Sequence, residues 1–305
     1  MDLPRQLGPY RILRRLGRGG MAEVFLAVAH GASGFEKRVA LKTLLPELQG
    51  DGVYERMLID EARLAAALSH RNLVGVHDLG TAGGTYYVRM DWIDGADLAA
   101  LLSRSPLPPP AVALMVAEEV AHALDHLHHA RDDAGRPLGL VHRDVSPGNI
   151  LVSRAGEVKL ADLGIAKATA RTEATRGGVR KGKYAYMSPE QATGSPLGPA
   201  SDQFALGVTL TEMLVGRRPF DGESVLDTLD RVRDAAPVDP ALFDGLDADL
   251  GTLLRRCLAR QPSQRHADMA SLARALADAR RARPHAGAAE LAAWVTAGIG
   301  TDGGA

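Results

Sequence analysis

The sequence predicts an α+β chain of two lobes, a small β-rich lobe with one main helix and a larger helical lobe. Three observations predict it. Over the first ninety residues, short apolar or alternating runs are broken by Gly-rich turns, the pattern of strands. From about Asp97 the texture changes to long Ala/Leu-rich stretches with helical periodicity. "IDGAD", Ile93 to Asp97, is the natural connector, which sets boundaries at 9–92, 93–283 and 284–305, the last a tail or short helix.

In chain order, the strand candidates are "YRILRRLG", "AEVFLAVA", "KRVALKTLL", "NLVGVHDLG" and "TYYVRMDWI". Between the third and fourth, Val53 to Leu68 repeats at helical spacing. Beyond the connector, "PLPPPA" leads into "PAVALMVAEEVAHALDHLHHA", a proline start to a long amphipathic helix. Ala130 to Gly139, "ARDDAGRPLG", reads as a surface hairpin, with a docking role as the lesser alternative. Short strands follow at Ile150–Val152 and Val158–Leu160, then the helix "DQFALGVTLTEMLVG". The tail "AGAAELAAWVTAGIG" carries Glu290 and is short for a membrane span, so a docked or frayed terminal helix is expected.

The 305 residues are 46% hydrophobic, enough to bury a substantial core. Lys plus Arg number 36 against 37 Asp plus Glu, which excludes nucleic-acid or membrane-surface binding resting on bulk charge. One cysteine, Cys257, excludes an internal disulfide and fits a reducing compartment. With no apolar leader at the N-terminus, a cytoplasmic location is expected.

"LGRGGMAEV", Leu16 to Val24, sets three glycines, Gly17, Gly19 and Gly20, between two strands. Glycines let backbone N–H groups approach phosphate oxygens closely; a tight hairpin would look similar. It is not a dinucleotide-binding fingerprint, because a strand follows and Ala22 stands where a third glycine would be. In "RVALK", a period of two puts Ala40 and Lys42 on one face. A lysine ending a strand is often a snorkelling edge residue. However, Met57, Glu61, Leu64 and Leu68 share one stripe of the next helix. A carboxylate on an apolar stripe calls for a cationic partner, and Lys42 supplies one. "HRDVSPGN" then offers Asp144 and Asn149, and Asp162 follows eighteen residues after Asp144 in "LADLG". These hard oxygens suit magnesium bound together with phosphates, although each alone could be a turn residue or helix cap.

The ordered set resembles the protein-kinase signature from about Tyr10 to Ala277: Gly-rich loop, strand lysine, helix glutamate, His-Arg-Asp with Asn five beyond, Asp-x-Gly, then "SPE". "GGMAEVFLA", "GRPLGLVHRDVSPGNIL" and "GKYAYMSPEQ" look most like bacterial Ser/Thr kinases of the myxobacterial type. The resemblance implies ATP and Mg²⁺ as cofactors and protein substrates, with no nucleic-acid or membrane partner. It implies that Lys42 holds the α/β-phosphates and Glu61 fixes Lys42. Asp144 would accept the substrate hydroxyl proton, while Asn149 and Asp162 ligate Mg²⁺. Leu16 with the three glycines would cover the nucleotide, and Val24, Ala40 and Leu151 would sandwich the purine. Met90 would be the gatekeeper, Asp91 and Ile93 would offer backbone hydrogen bonds to adenine, and Asp97 would reach the ribose. It also implies a structural ion pair between Glu190 and Arg265, and Asp202 as the anchor of the catalytic loop.

Four positions depart from the family pattern. Leu163 replaces the usual Phe, where packing on His142 is expected to persist, and Ala22 replaces the third glycine. Ser146 stands where the catalytic loop usually carries lysine, and Lys183 where a Ser/Thr kinase usually carries threonine. The expectation is an exchange: Lys183 supplies the γ-phosphate cation with Ser146 as its hydrogen-bond partner, against the plainer reading of a solvent-facing lysine. Arg143 implies control by activation-loop phosphorylation, first at Thr175, then Thr172, with Thr169 the third candidate. Trans-autophosphorylation within a homodimer would follow. The basic residues Arg171, Arg176, Arg180 and Lys181 read as a solvated face. Two other classes use the same core: a nucleotide-sensing pseudokinase and a small-molecule phosphotransferase. The five intact polar residues argue against the first, and "SPE" with Asp202 and Arg265 against the second.

Overall fold

The computed structural model describes residues 6–164, 181–235 and 240–300. Thr169, Thr172, Thr175, Arg171, Arg176 and Arg180 lie outside the described residues. The chain divides into two compact units, one built mainly from residues 6–69 and Val74–Trp92, the other from His70–Leu73, Ile93–Asp162 and the described residues from 181 onward.

In the first unit, alternation of apolar and polar residues produces an antiparallel sheet in the order β1-β2-β3-β4-β6-β5. Its strands are β1 (Gln6–Leu7), β2 (Tyr10–Arg18), β3 (Ala22–His30), β4 (Glu36–Leu44), β5 (Val76–Ala82) and β6 (Thr85–Asp91). One face buries Tyr10, Ile12, Phe25, Val39, Leu41 and Tyr87 together. The other sets Leu44 and Val88 against Leu58 and Ala62 of helix α1 (Gly52–Ala66). Each Val, Leu, Ile or Phe among them contributes roughly 1.5–3 kcal/mol on burial. Helix α1 starts where Asp51 accepts the Val53 N–H at 2.8 Å, a polar cap just before the apolar stripe.

The strand expected over "NLVGVHDLG" begins only at Val76. Asn72 belongs to the second unit instead: its Nδ2 donates to the Val158 carbonyl (2.9 Å) and its own carbonyl accepts the Leu160 N–H (2.7 Å). A polar side chain satisfied by another strand's backbone overrode the apolar run around it.

The second unit holds a small antiparallel sheet of β7 (Gly95–Asp97), β8 (Ile150–Ser153) and β9 (Val158–Leu160). The connector is therefore itself a strand. Gly95 permits this, because a Cβ there would stand 1.9 Å from the Val152 carbonyl oxygen. The helices are α2 (Leu98–Arg104), α3 (Pro110–His128), α4 (Pro189–Thr193), α5 (Pro199–Val215), α6 (Val225–Asp234), α7 (Ala248–Cys257), α8 (Met269–Arg281) and α9 (Ala288–Ile299). Helix α3 packs on α8 and α5, burying Val112 through Leu114, Val120 and Leu124. Helix α5 is buried along most of its length, and its Thr209 and Thr211 hydroxyls bond back to the Ala205 and Gly207 carbonyls. Cys257 is buried and burial pushes its thiol up to about 12, so it packs as a small hydrophobe.

Two sequence expectations resolve here. Ala130–Gly139 is a hairpin that satisfies itself, with Asp132 accepting the Ala134 and Arg136 N–H groups and pairing the Arg136 guanidinium. Helix α9 is docked: Leu291, Trp294 and Val295 are buried and Trp294 Nε1 donates to the Pro106 carbonyl at 2.9 Å. Among the described residues, no helix is long and apolar enough to cross a membrane.

Candidate active site

The expected site residues fall in both units. In the first, cross-strand register decides which side chains share a face. Lys42 stands opposite Val24 and Val88, and Ala40 opposite Leu26 and Met90, so Val24, Ala40, Lys42 and Met90 line one face of the sheet. Lys42 Nζ lies 2.8 Å from Glu61 Oε1, and both side chains are largely shielded at 12% and 14% exposed. Shielding lowers the local dielectric and strengthens the pair relative to a surface one. The pair fixes the ammonium at the end of the apolar strand. Asp91 N–H is bonded to the Gly75 carbonyl, and its carboxylate is held by the Gly75 N–H (3.2 Å) and His77 Nε2 (2.7 Å). The carboxylate is thus occupied locally, and any contact Asp91 makes to a nucleotide falls to its main chain.

The glycines at the end of β2 and in the β2–β3 turn carry a different message. Gly17, Gly19 and Gly20 all lie outside the left-handed region. A Cβ at Gly17 or Gly20 would meet nothing within 4 Å among the described residues, and at Gly19 only the Ala22 carbonyl at 3.5 Å. The turn itself has room for side chains. Glycine there keeps a space open above the backbone, which is the requirement of a phosphate that approaches main-chain N–H groups.

In the second unit, one buried imidazole organises the loop from His142 to Asn149. His142 Nε2 bonds the Ala161 carbonyl (3.1 Å), and its Nδ1 accepts the Asp144 N–H (3.3 Å). Those two bonds require a neutral ring with its proton on Nε2. Burial drives the His142 pKa downward, and the carboxylates of Asp202 and Asp144 oppose it without reversing it. The ring therefore ties Asp144 to the residue that precedes Asp162. Ala161 N–H also donates to the Asn149 carbonyl at 2.8 Å, which sets Asn149 beside the start of the Asp162 turn.

Asn149 Nδ2 donates to both the Asp144 carbonyl (2.7 Å) and Asp144 Oδ2 (2.8 Å). Both neighbours are acceptors, so the amide nitrogen must face them, and the amide oxygen is the group Asn149 offers to a cation. Asp162 takes a left-handed backbone (φ 55°) and Arg143 does too (φ 66°). An aspartate adopts this conformation more readily than an arginine, and a left-handed arginine is a backbone cost that the surrounding hydrogen bonds must hold in place. The donor set fits Mg²⁺ shared with phosphates: one carboxylate and one amide oxygen, both hard. Among the described residues, no cluster of three or more His, Cys, Asp or Glu side chains would hold a metal unaided.

Lys183 Nζ lies 3.0 Å from Asp144 Oδ2. The expected proximity to Asp144 is present, but the partner is the carboxylate rather than Ser146. Ser146 is buried, with its carbonyl taken by the Asn149 N–H. Charge decides the preference, since an ammonium gains more from a carboxylate than from a hydroxyl. Asp97 caps α2, its Oδ1 accepting the Ala100 N–H at 2.8 Å, so its carboxylate has a structural partner before any ribose. Leu151 stands directly opposite Asp97 across β7 and β8. Ile93 opens the same stretch of backbone, just before β7.

The two structural pairs expected from the sequence are formed. Arg265 makes a bidentate contact with Glu190 (2.7 and 3.0 Å) and donates further to the Ala200, Ala259 and Arg260 carbonyls. Burial acts to raise the Glu190 carboxyl, but the Arg265 guanidinium and the Ser201 hydroxyl outweigh it, and the net shift is downward. Asp202 accepts the His142 and Arg143 N–H groups and also contacts His128 Nε2 at 2.8 Å.

Several supports were missed in the sequence. Gln191 Nε2 donates to the Arg143 carbonyl (2.9 Å) while Gln191 completes a capping box with Ser188. That box was legible, because Ser188-Pro-Glu-Gln191 has the required spacing. The hydrogen bond from Tyr186 Oη to Glu212 had no local signal, nor did the third contact of His128 to Asp202.

Comparison with known proteins follows the same lines. The family model for the protein kinase domain matches residues 10–276. A tyrosine-protein kinase, MasK of Myxococcus xanthus, is 42% identical over 282 residues, covering 90% of this chain and 44% of that protein. The serine/threonine-protein kinase PknA of Mycobacterium tuberculosis is 35% identical over 90% of this chain and 62% of its own length. The chain thus spans about half the length of the curated relatives it matches. The crystal structure of the Mycobacterium tuberculosis PknI kinase domain superposes with a TM-score of 0.66 at 28% identity, covering 92% of this chain and all of that one. With a strand-rich unit, a helical unit and the signature residues at these positions, the chain belongs to the protein kinase family.

Proposed function

We propose that the protein transfers the γ-phosphoryl group of ATP to Ser or Thr hydroxyls of protein substrates. The observation that carries the reading is the Asp144–Asn149 arrangement, a carboxylate oriented by an amide whose oxygen remains for a metal ion. Lys42, fixed by Glu61, holds the α/β-phosphates, and Leu16 with Gly17, Gly19 and Gly20 covers them. Val24, Ala40 and Leu151 grip the purine beside Met90, the main chain of Asp91 and Ile93 meets its edge, and Asp97 borders the ribose. Mg²⁺, when bound by Asn149 and Asp162, neutralises phosphate charge. Asp144 receives the proton of the attacking hydroxyl. Phosphoryl transfer asks for positioning and charge, which is what these residues supply.

The Ser/Thr preference rests on the serine/threonine-kinase relatives, and the tyrosine reading is favoured by one observation, the name of MasK. Phosphoamino-acid analysis of protein labelled with radioactive Mg-ATP decides. Phosphoserine or phosphothreonine is expected, and phosphotyrosine alone would reverse the assignment. We further propose that a second copy of the chain is the first substrate, through Thr175, Thr172 or Thr169, with the Arg143 guanidinium receiving the phosphate. Arg143 Nε is buried and has no partner among the described residues, which supports that role. Phosphosite mapping after incubation with Mg-ATP tests it, and no phosphate on these threonines would refute it.

A further inference from the structure

We propose that Lys183 is a catalytic residue whose ammonium meets the transferred phosphoryl group beside Asp144, delivered from the segment Lys181–Tyr186 rather than from the loop that carries Asp144. The inference rests on the kinase reading above and deepens it.

Phosphoryl transfer spreads negative charge over the oxygens of the moving group, and cations fixed around them are what lower the barrier. The loop from His142 to Asn149 contains one cation of fixed charge, Arg143, and no lysine. Arg143 is held by its backbone, its N–H on Asp202 and its carbonyl on Gln191. Among the described residues, Lys183 places a cation on Asp144, 3.0 Å from Oδ2, the same oxygen that accepts Asn149 Nδ2 at 2.8 Å. An ammonium has three donors, and Asp144 takes one. With its side chain 42% exposed, Lys183 keeps two donors and solvent-side room for phosphoryl oxygens.

The lysine is also aimed. Its segment, Lys181–Tyr186, ends on a tyrosine whose hydroxyl bonds Glu212 of α5, with the Arg218 guanidinium 5.7 Å from the ring centroid. The opposite end of α5 carries Asp202, which holds the His142 and Arg143 N–H groups. Asp202 and Glu212 are ten residues apart, about 15 Å along one helix. One rigid element therefore supports both members of the Lys183–Asp144 contact. In the step itself, the substrate hydroxyl oxygen forms a bond to the γ-phosphorus. The bond from that phosphorus to the β–γ bridging oxygen breaks, and its electron pair leaves with ADP. The hydroxyl proton passes to Asp144. Lys183 gives up no proton, and its charge offsets the negative charge that builds on the phosphoryl oxygens.

The test uses the full chain with Mg-ATP and a general protein acceptor such as casein. It compares wild type, Lys183→Ala, Lys183→Arg, Lys181→Ala, Asp144→Asn, Tyr186→Phe and the double variant of Tyr186→Phe with Lys183→Ala, with circular dichroism to verify folding. Lys183→Ala is expected to lower kcat by about ten- to a hundredfold with KM for ATP within about threefold of wild type. Lys183→Arg keeps the charge and is expected to recover kcat severalfold over alanine; Lys181→Ala stays within about twofold of wild type. Tyr186→Phe, a change at a positioning residue, is expected to lower kcat in the wild-type background and to add nothing to Lys183→Ala. Equal kcat for Lys183→Ala and Lys181→Ala overturns the proposal. So does a rise in activity, which would make Lys183 an inhibitory clamp, or a loss confined to KM for the acceptor. Arginine no better than alanine also overturns it. A wild type as inactive as Asp144→Asn would instead refute the kinase reading, whereas an active wild type with an unaffected alanine variant sinks only the role of Lys183.

Discussion

Asp202 and His142 are joined by a buried hydrogen bond of 2.9 Å, carboxylate Oδ2 to backbone N–H, and Oδ1 takes the next N–H, from Arg143, at the same distance. Two successive amides on one carboxylate fix the turn that presents Asp144. An asparagine at 202 has one acceptor oxygen, so one of the two N–H groups would face an amide donor. Asp202→Asn is expected to cost about 2 kcal/mol or more of stability, the scale of a lost charged hydrogen bond plus a buried unsatisfied donor. Chemical denaturation measures it. Kinase activity should fall with it, through kcat rather than KM for ATP, because the carboxylate touches the loop and not the nucleotide.

The Lys42–Glu61 pair makes a separate prediction. Glu61→Ala removes the carboxylate 2.8 Å from Nζ and with it one restraint on the position of the ammonium. Expected results are a rise in KM for Mg-ATP, a kcat loss of at least about tenfold, and a smaller thermal stabilisation by Mg-ATP. A Glu61→Ala enzyme with wild-type kcat and KM would show that the pair does not serve the phosphates.

How far these residues could be read from the sequence depended on the range of the physics. Period-two alternation put Ala40 and Lys42 on one face, and the stripe of Met57, Glu61, Leu64 and Leu68 put Glu61 opposite a cation, because both patterns are local. Contacts set by packing between distant segments were not legible. The hydroxyl of Tyr186 reaches Glu212 from 26 positions away, and Asn72 bonds Val158 from 86 positions away. The substitution at 183 was visible, but the choice of Asp144 over Ser146 as its partner depends on how the loop folds. Asp97 has the sequence of a helix cap as well as of a ligand, and the helix cap is what the fold uses.

Glu190 and Arg265 bear on stability and its pH dependence. The Arg265 side chain is fully buried, so removing its partner leaves an uncompensated charge. Glu190→Gln keeps the shape and is expected to destabilise by about 3–5 kcal/mol. Because the folded-state pKa of Glu190 is depressed, its contribution is present above the unfolded carboxylate pKa and is lost as pH falls through the folded value. Urea unfolding across pH 3–6 should therefore show a shallower acid limb in Glu190→Gln than in wild type.

His266 acts in a higher pH window. Burial, with Arg256 nearby, lowers its pKa to about 4, and its Nε2 has no hydrogen-bond partner among the described residues. The unfolded chain takes up the proton near pH 6.5 and the folded chain only near 4, so stability falls as pH drops between those values. The loss is at most roughly 3 kcal/mol, and His142, also depressed by burial, adds in the same direction. His266→Gln is expected to flatten the urea midpoint between pH 6.5 and 4.5. An unchanged slope would place the acid sensitivity elsewhere.

Helix α9 lies outside the matched kinase span, which ends at residue 276, yet it is built into the second unit. It packs against α2, β7 and β8, the elements that carry Asp97 and Leu151. Its fit is close: a Cβ at Gly298 would stand 2.0 Å from Ser105 Oγ, and Gly156 meets the Ala288 carbonyl equally closely. Trp294 is 8% exposed, so Trp294→Ala removes a large buried ring and is expected to cost about 3–5 kcal/mol. Trp294→Phe keeps much of the packing and loses the hydrogen bond to Pro106, about 1 kcal/mol. Hydrogen exchange separates local from global loss. Faster exchange confined to residues 98–104 and 288–299, with a raised KM for ATP and an unchanged kcat, is the expected signature of a helix that buttresses the nucleotide side of this unit. Uniformly faster exchange would make α9 a general stabiliser of the fold, with no particular bearing on Asp97 and Leu151.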